Sequence, residues 1–276
     1  MTVLDVTIPG DTIPGDTQDT GRQRLADLCR AEWLRLHAAR SSKLFAAVIV
    51  LLPLVWCFQA ATSAQANWTG FTAAQRATFD PVSSTLAGLY LSQVLIGVWA
   101  ALVFTGEYGT RSIGTTLLGA PRRTRLFAAK CLVAAAVMFV VMELAALLSF
   151  GLGQAILSAS GPPASVGLGA PVVVHALLGT GVYAALLAVL CVAIGALVRY
   201  TAGAALVVVV VTSVIYIISV VSTQFQTLVK LTPVGIFKDQ ISSVPADSQW
   251  GGIVIMAVIS GVVAVAACTS FSRRDA

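Results

Sequence analysis

Residues 126–150 read LFAAKCLVAAAVMFVVMELAALLSF, an apolar run broken by two ionisable residues, Lys130 and Glu143. At about 1.5 Å per residue, such a run crosses the roughly 30 Å of bilayer hydrocarbon as one α-helix. Five more stretches of this kind are Leu44–Ala60, Val82–Thr105, Val172–Val198, Ala202–Val221 and Gly252–Phe271. The first is only just long enough to span, and Pro53 inside it predicts a kink, which lipid-embedded helices tolerate. The expected fold is an all-α integral membrane protein of six transmembrane helices over residues 44–271.

Composition agrees. Of 276 residues, 57% are apolar and only 11% are charged, with a mean hydropathy of +0.89. A soluble domain of this size needs more charge than that on its surface. The five cysteines include no pair at CxxC spacing, and four lie in apolar stretches, so they read as free thiols acting as small hydrophobes. Residues 1–20 are polar and carry Asp5, Asp11, Asp16 and Asp19, the reverse of a basic leader, so the first apolar stretch reads as a retained helix. The repeat Ile8-Pro9-Gly10-Asp11-Thr12, Ile13-Pro14-Gly15-Asp16-Thr17 breaks regular structure and predicts a disordered tail.

Residues 21–43 have a different pattern. Leu25, Leu28, Cys29, Trp33 and Leu36 recur at helical spacing among Arg22, Arg24, Arg30, Arg35 and Arg40. This predicts a basic amphipathic helix in the headgroup plane, running straight into the first span. With six spans, all the basic residues except Arg76, Lys230 and Lys238 fall on one side, which the distribution of Lys and Arg identifies as cytoplasmic. Both termini, including residues 272–276, then face the cytoplasm of a multi-pass inner-membrane protein. Lys130 is counted among these retention charges. The outer loops, roughly 61–81, 151–171 and 222–251, are too short for a folded external domain, and the apolar residues of the last predict a dip into the outer interface.

No catalytic constellation appears: GxxxxGK[ST], HExxH and GxSxG are all missing. His37 and His175 fall on opposite sides of the membrane, so no metal site is expected. The cytoplasmic segments are too short for a nucleotide-binding domain, so the chain is not expected to be an enzyme or to hold a cofactor, and no nucleic-acid partner is expected. Within the spans, Glu143 is a costly acid about 20 Å along its helix from Lys130, read either as a substrate or proton site or as a helix–helix hydrogen bond. Gln93, Trp99, Thr212, Ser213 and Tyr216 interrupt spans two and five, as pathway residues or as helix–helix packing.

The loop 106–125 between spans two and three is the most informative cytoplasmic segment. It reads Gly106-Glu107-Tyr108-Gly109-Thr110-Arg111, a short helical stretch, then Pro121-Arg122-Arg123 and the Lys130 that opens span three. These residues resemble the cytoplasmic loop of type-2, exporter-like ABC transporter permeases. Leu231-Thr232-Pro233, the Phe271-Ser272-Arg273-Arg274-Asp275 ending and the basic helix before span one are similar to the same family.

The resemblance implies a coupling helix in this loop that docks on a separate ABC ATPase. Glu107, Tyr108, Gly109, Thr110, Arg111, Pro121, Arg122 and Arg123 would be its contacts or anchors. It further implies two ATPase copies holding ATP and Mg, a second permease as homo- or heterodimer, and a pathway lined by spans two and five. The expected function is ATP-driven export of an amphipathic or hydrophobic substrate such as an antibiotic, drug-like molecule, peptide or lipid. The rivals are an ATP-independent carrier, an intramembrane enzyme, and a scaffold or sensor subunit that transports nothing. The carrier predicts related halves, which the chain lacks; the enzyme needs a partner for Glu143.

Overall fold

The computed structural model describes residues 25–109, 123–160, 166–198, 200–214, 232–242 and 250–273, and among them there is helix but no strand. Helix α1 is Leu25–Ala38 and α2 is Arg40–Asn67. A 3₁₀ turn at Trp68–Gly70 leads to α3, Ala73–Ala77, then α4, Pro81–Leu86, and α5, Leu89–Gly109. Next come α6, Arg123–Ser160, and α7, Pro171–Val198. Helix α8, Thr201–Val209, runs into a π-helical turn at Val210–Val214. The described chain ends with α9, Pro233–Gln240, and α10, Gly251–Arg273.

Five of these helices, α2, α5, α6, α7 and α10, are long and apolar enough to cross a membrane. The predicted fifth span, Ala202–Val221, is represented by the shorter apolar helix Thr201–Ser213, and its remainder lies outside the described residues. The polar tail 1–20 also lies outside them.

The structure differs from expectation at three junctions. Helix α1 does not run straight into α2, because Ala39 has an extended backbone (φ −72°, ψ 117°) and turns the chain between them. That turn is what lets α1 lie back against α6. The predicted second span is also divided, into α4 and α5. Asp80 caps α4 by accepting from Val82 N–H at 2.9 Å and Ser83 N–H at 3.2 Å, with Pro81 in the first turn. Finally, α2 and α6 continue past the predicted ends Ala60 and Phe150 to Asn67 and Ser160. Hydropathy marks where the hydrocarbon ends, whereas the hydrogen-bonded helix continues beyond it.

Close backbone approaches set the packing. Gly88, at the break between α4 and α5, abuts Pro53 of the unbroken helix α2. A Cβ there would lie 2.7 Å from Pro53 Cα and 2.8 Å from its carbonyl oxygen. Gly195 of α7 sits similarly against the Ala101 backbone of α5, and Gly97 of α5 against Val208 of α8. Hydroxyl and thiol groups cross between helices to backbone carbonyls, a bond suited to an apolar medium. Ser92 donates to Ile49 (2.9 Å), Cys57 to Ser149 (3.0 Å) and Ser260 to Leu186 (3.1 Å). Cys29, Cys57, Cys131, Cys191 and Cys268 are free thiols, as their spacing indicates.

At one end of the bundle, Trp68, Phe71 and Phe79 cluster under the Arg76 guanidinium, 5.7 Å above the Trp68 ring, so the short loop 61–81 is folded. At this end α9 also turns inward. Its Phe237 packs on Tyr90 and Tyr183, and its Gln240 amide donates to the His175 carbonyl at 3.0 Å. Gly179 leaves the space that Gln240 fills. The opposite end gathers Glu32, Ser42, Phe104, Phe127, Lys130 and Phe271.

Gly88→Ala should lower stability by about 1–3 kcal/mol, because its methyl meets backbone rather than a movable side chain. Gly151→Ala, where nothing lies within 4 Å of the added carbon, should be neutral or stabilising. Thermal midpoints of the two variants in detergent check the contrast.

Candidate functional site at the base of the bundle

Helix α1 buries an acid. Its apolar stripe of Leu28, Cys29 and Leu36 has Glu32 in the middle, and Glu32 is 5% exposed. One carboxylate oxygen accepts from Lys130 Nζ at 2.8 Å, and the Lys130 side chain is 1% exposed. Arg35, one turn on, lies 3.6 Å from the other oxygen. Taking an ammonium and a carboxylate out of water costs several kcal/mol each, which their mutual attraction offsets only when the geometry is close, as here. Lys130 is therefore more than a retention charge: it fastens α1 to the first turns of α6.

Two further contacts stiffen this end. Trp99 of α5 is buried, and its indole N–H donates to Ser42 Oγ at the start of α2 (3.3 Å). Phe104 of α5 packs edge-on against Phe127 of α6 and Phe271 of α10, with ring centroids at 6.1 and 5.4 Å. The stretch 110–122 begins where α5 ends, at Gly109, and finishes where α6 starts, at Arg123. Both roots of the basic loop thus emerge from the end of the bundle held by these contacts. Thr110, Arg111, Pro121 and Arg122 lie outside the described residues. Glu107, Tyr108 and Gly109 are in the last turn of α5, and Arg123 opens α6.

The polar residues within the spans do not converge on one point. Gln93 is buried and accepts from the Tyr183 hydroxyl at 2.6 Å, joining α5 to α7. Its amide nitrogen has no hydrogen-bond partner among the described residues. Glu143 of α6 is half-buried and lies over Gly181 of α7, where a Cβ would come within 2.7 Å of its carboxylate. Tyr183 and Gly181 are two residues apart on α7, hence on different faces of it. Thr212 is buried in the π-helical turn with its hydroxyl folded back on the Val208 carbonyl (2.8 Å). Ser213 beside it is half-buried, and Tyr216 lies outside the described residues.

Glu32 and Tyr183 were not legible as site residues. Tyr183 is hidden in a long apolar run. Glu32 does leave a signal, an acid in the centre of an apolar helical stripe, and the structure shows that it has a basic partner far along the chain.

A family profile for ABC-2 family transporter proteins matches residues 28–220, from the first turns of α1 to beyond α8. The chain belongs to this ABC-2 transporter family. No curated protein matches it. Membership makes the chain a transporter permease, a multi-pass membrane subunit rather than a catalytic one, and implies association with an ABC ATPase. In this permease the matched region includes the ion pair, the loop and the polar residues of α5 to α8.

Breaking the pair on one side leaves a buried charge without its 2.8 Å partner. Glu32→Leu or Lys130→Met should each cost the permease about 3–5 kcal/mol, whereas the two substitutions combined should recover most of that loss. A double-mutant cycle on denaturation midpoints in detergent tests this. Additive losses in the double variant would show that the two residues act separately.

Proposed function

We propose that the permease is the membrane half of an ATP-driven exporter, with six spans and both termini in the cytoplasm of the inner membrane. Helix α8 with its π-helical turn is the fifth span in this reading, and α1 is an interfacial helix. The base held by Glu32, Lys130 and Phe104 is the cytoplasmic end, since Arg40, Lys43, Arg123 and Arg125 lie there too.

The observation that supports this reading most is the placement of the basic loop 106–125. Its two roots, the last turn of α5 and the first turn of α6, lie at the end where α1 is fastened to α6. A push on that loop acts on two spans and the interfacial helix together. The loop is proposed to dock on the ATPase through Glu107, Tyr108, Arg111 and Arg122, anchored by Gly109, Thr110, Pro121 and Arg123. ATP and Mg are held by two copies of the partner ATPase. Binding and hydrolysis there need only move the loops, so alternating access calls for no chemistry in this chain.

A second permease completes the pathway. Leu206 of α8 and Val210 of the π-helical turn are 65% and 40% exposed, an apolar face suited to a second subunit or to lipid. This face is proposed as a largely apolar wall of the pathway. Such a wall suits an amphipathic or hydrophobic substrate, the class to which lipophilic antibiotics, peptides and lipids belong.

Glu107→Ala and Arg111→Ala should each cut ATPase co-purification and substrate-stimulated ATP hydrolysis about tenfold, while leaving the permease folded in the membrane. Pull-down of the tagged permease with its ATPase, followed by transport in proteoliposomes, measures both. Unchanged binding and transport in both variants would remove the loop from the coupling path.

A further inference from the structure

The turn at Ala39 opens two small clefts that share the walls Leu36, Ser42 and Trp99. The first, about 110 Å³, lies between α1 (Trp33, His37), Lys43 of α2 and Val137 of α6. The second, about 160 Å³, lies on the other side of Leu36, towards Arg35 and Val103. Each is smaller than the roughly 300–1,000 Å³ of a pocket that encloses a drug-sized molecule. Together they suit one end of a larger amphiphile whose remainder stays in the bilayer.

We propose that these clefts bind an anionic phospholipid, its phosphate at Lys43 and the upper part of an acyl chain against Leu36, Trp99 and Val137. Charge complementarity selects the occupant. None of the described lining residues is acidic, and Lys43 is exposed at the mouth of the first cleft. Arg35 is shared with Glu32, so Lys43 is the cation offered to a headgroup there.

The walls match the rest of a lipid. Trp33 is 50% exposed and stacks on His37 with centroids 6.1 Å apart, the placement favoured by aromatic rings at headgroup level. Trp99 is held as the floor by its bond to Ser42. Leu34 of α1 and Leu44 of α2 are 57% and 65% exposed, apolar side chains that a bilayer would cover. A soluble anion would use Lys43 but none of this apolar surface. The site rests on the reading of α1 as an interfacial helix and needs no ATPase.

The test uses the permease alone, reconstituted in phosphatidylcholine vesicles doped with brominated phosphatidylglycerol or brominated phosphatidylcholine. The difference between wild type and Trp33→Phe isolates the quenching of Trp33. At equal mole fraction the phosphatidylglycerol should quench about fivefold more effectively, the effect of roughly one basic residue near an anionic headgroup. Lys43→Gln should bring the ratio close to one, and Lys238→Gln, on the exposed face of α9, should leave it unchanged. Soluble glycerol phosphate should not reduce the quenching. Equal quenching by both lipids in wild type, an unchanged ratio in Lys43→Gln, or displacement by glycerol phosphate would overturn the lipid site alone. Absence of quenching by either lipid would overturn the interfacial placement of α1 as well.

Discussion

A buried ammonium and a buried carboxylate 2.8 Å apart determine how the start of this permease is arranged. Lys130 sits buried about two turns inside α6, where it needs an anion. The nearby turns of α6 offer none, so the anion comes from α1, and α1 must fold back to deliver it. That requirement accounts for the turn at Ala39, for the clefts beside it, and for the contact between the segment before the first span and the root of the basic loop. A hydrophobic contact would hold α1 with less directional preference. The ion pair sets its register along α6, because a shift of one residue would rotate Glu32 off the seam by about 100°.

Above this base, the bundle is held by interactions that work in an apolar solvent. Burying hydrophobic surface gains little between helices already surrounded by lipid tails, so close approach and hydrogen bonds have to supply the adhesion. Glycines at 88, 97 and 195 bring neighbouring helices together, while Ser92, Cys57 and Ser260 donate across to carbonyls. The Tyr183–Gln93 bond does the same deeper in the bundle, with one amide nitrogen left over. Glu143 is a different case, a carboxyl set against Gly181 with an oxygen that has no hydrogen-bond partner among the described residues. A small polar group or a proton is what such an oxygen can accept.

Much of this was legible in the sequence. Long apolar runs locate α2, α5, α6, α7 and α10 to within a few residues at the ends nearest the ion pair, because hydropathy reports where the hydrocarbon lies. It does not report where a helix stops, so the extensions to Asn67 and Ser160 were missed. Nor does it detect breaks such as Ala87–Gly88, where the apolar character persists through a turn. The family could be recognised from the loop 106–125 and its flanks, and the profile match over residues 28–220 agrees. The pairing of Glu32 with Lys130 was not legible, since the partners are 98 residues apart and Lys130 also fits the ordinary bias of basic residues toward one side. Pro53, where a kink is expected, lies inside helix α2 and takes part in the close contact with Gly88.

In the proposed transport cycle, α1 and the start of α6 move as one mechanical unit when the loop is pushed. Spin labels on Ala31 of α1 and Thr124 of α6, both exposed, report on that unit directly. Pulsed electron spin resonance on the assembled transporter, nucleotide-free and trapped with ATP, should give one narrow distance that is the same in both states. In Lys130→Met the same pair should give a broad distribution. A wild-type distance that changes by several ångströms between the two states, or a narrow distribution that survives Lys130→Met, would contradict it.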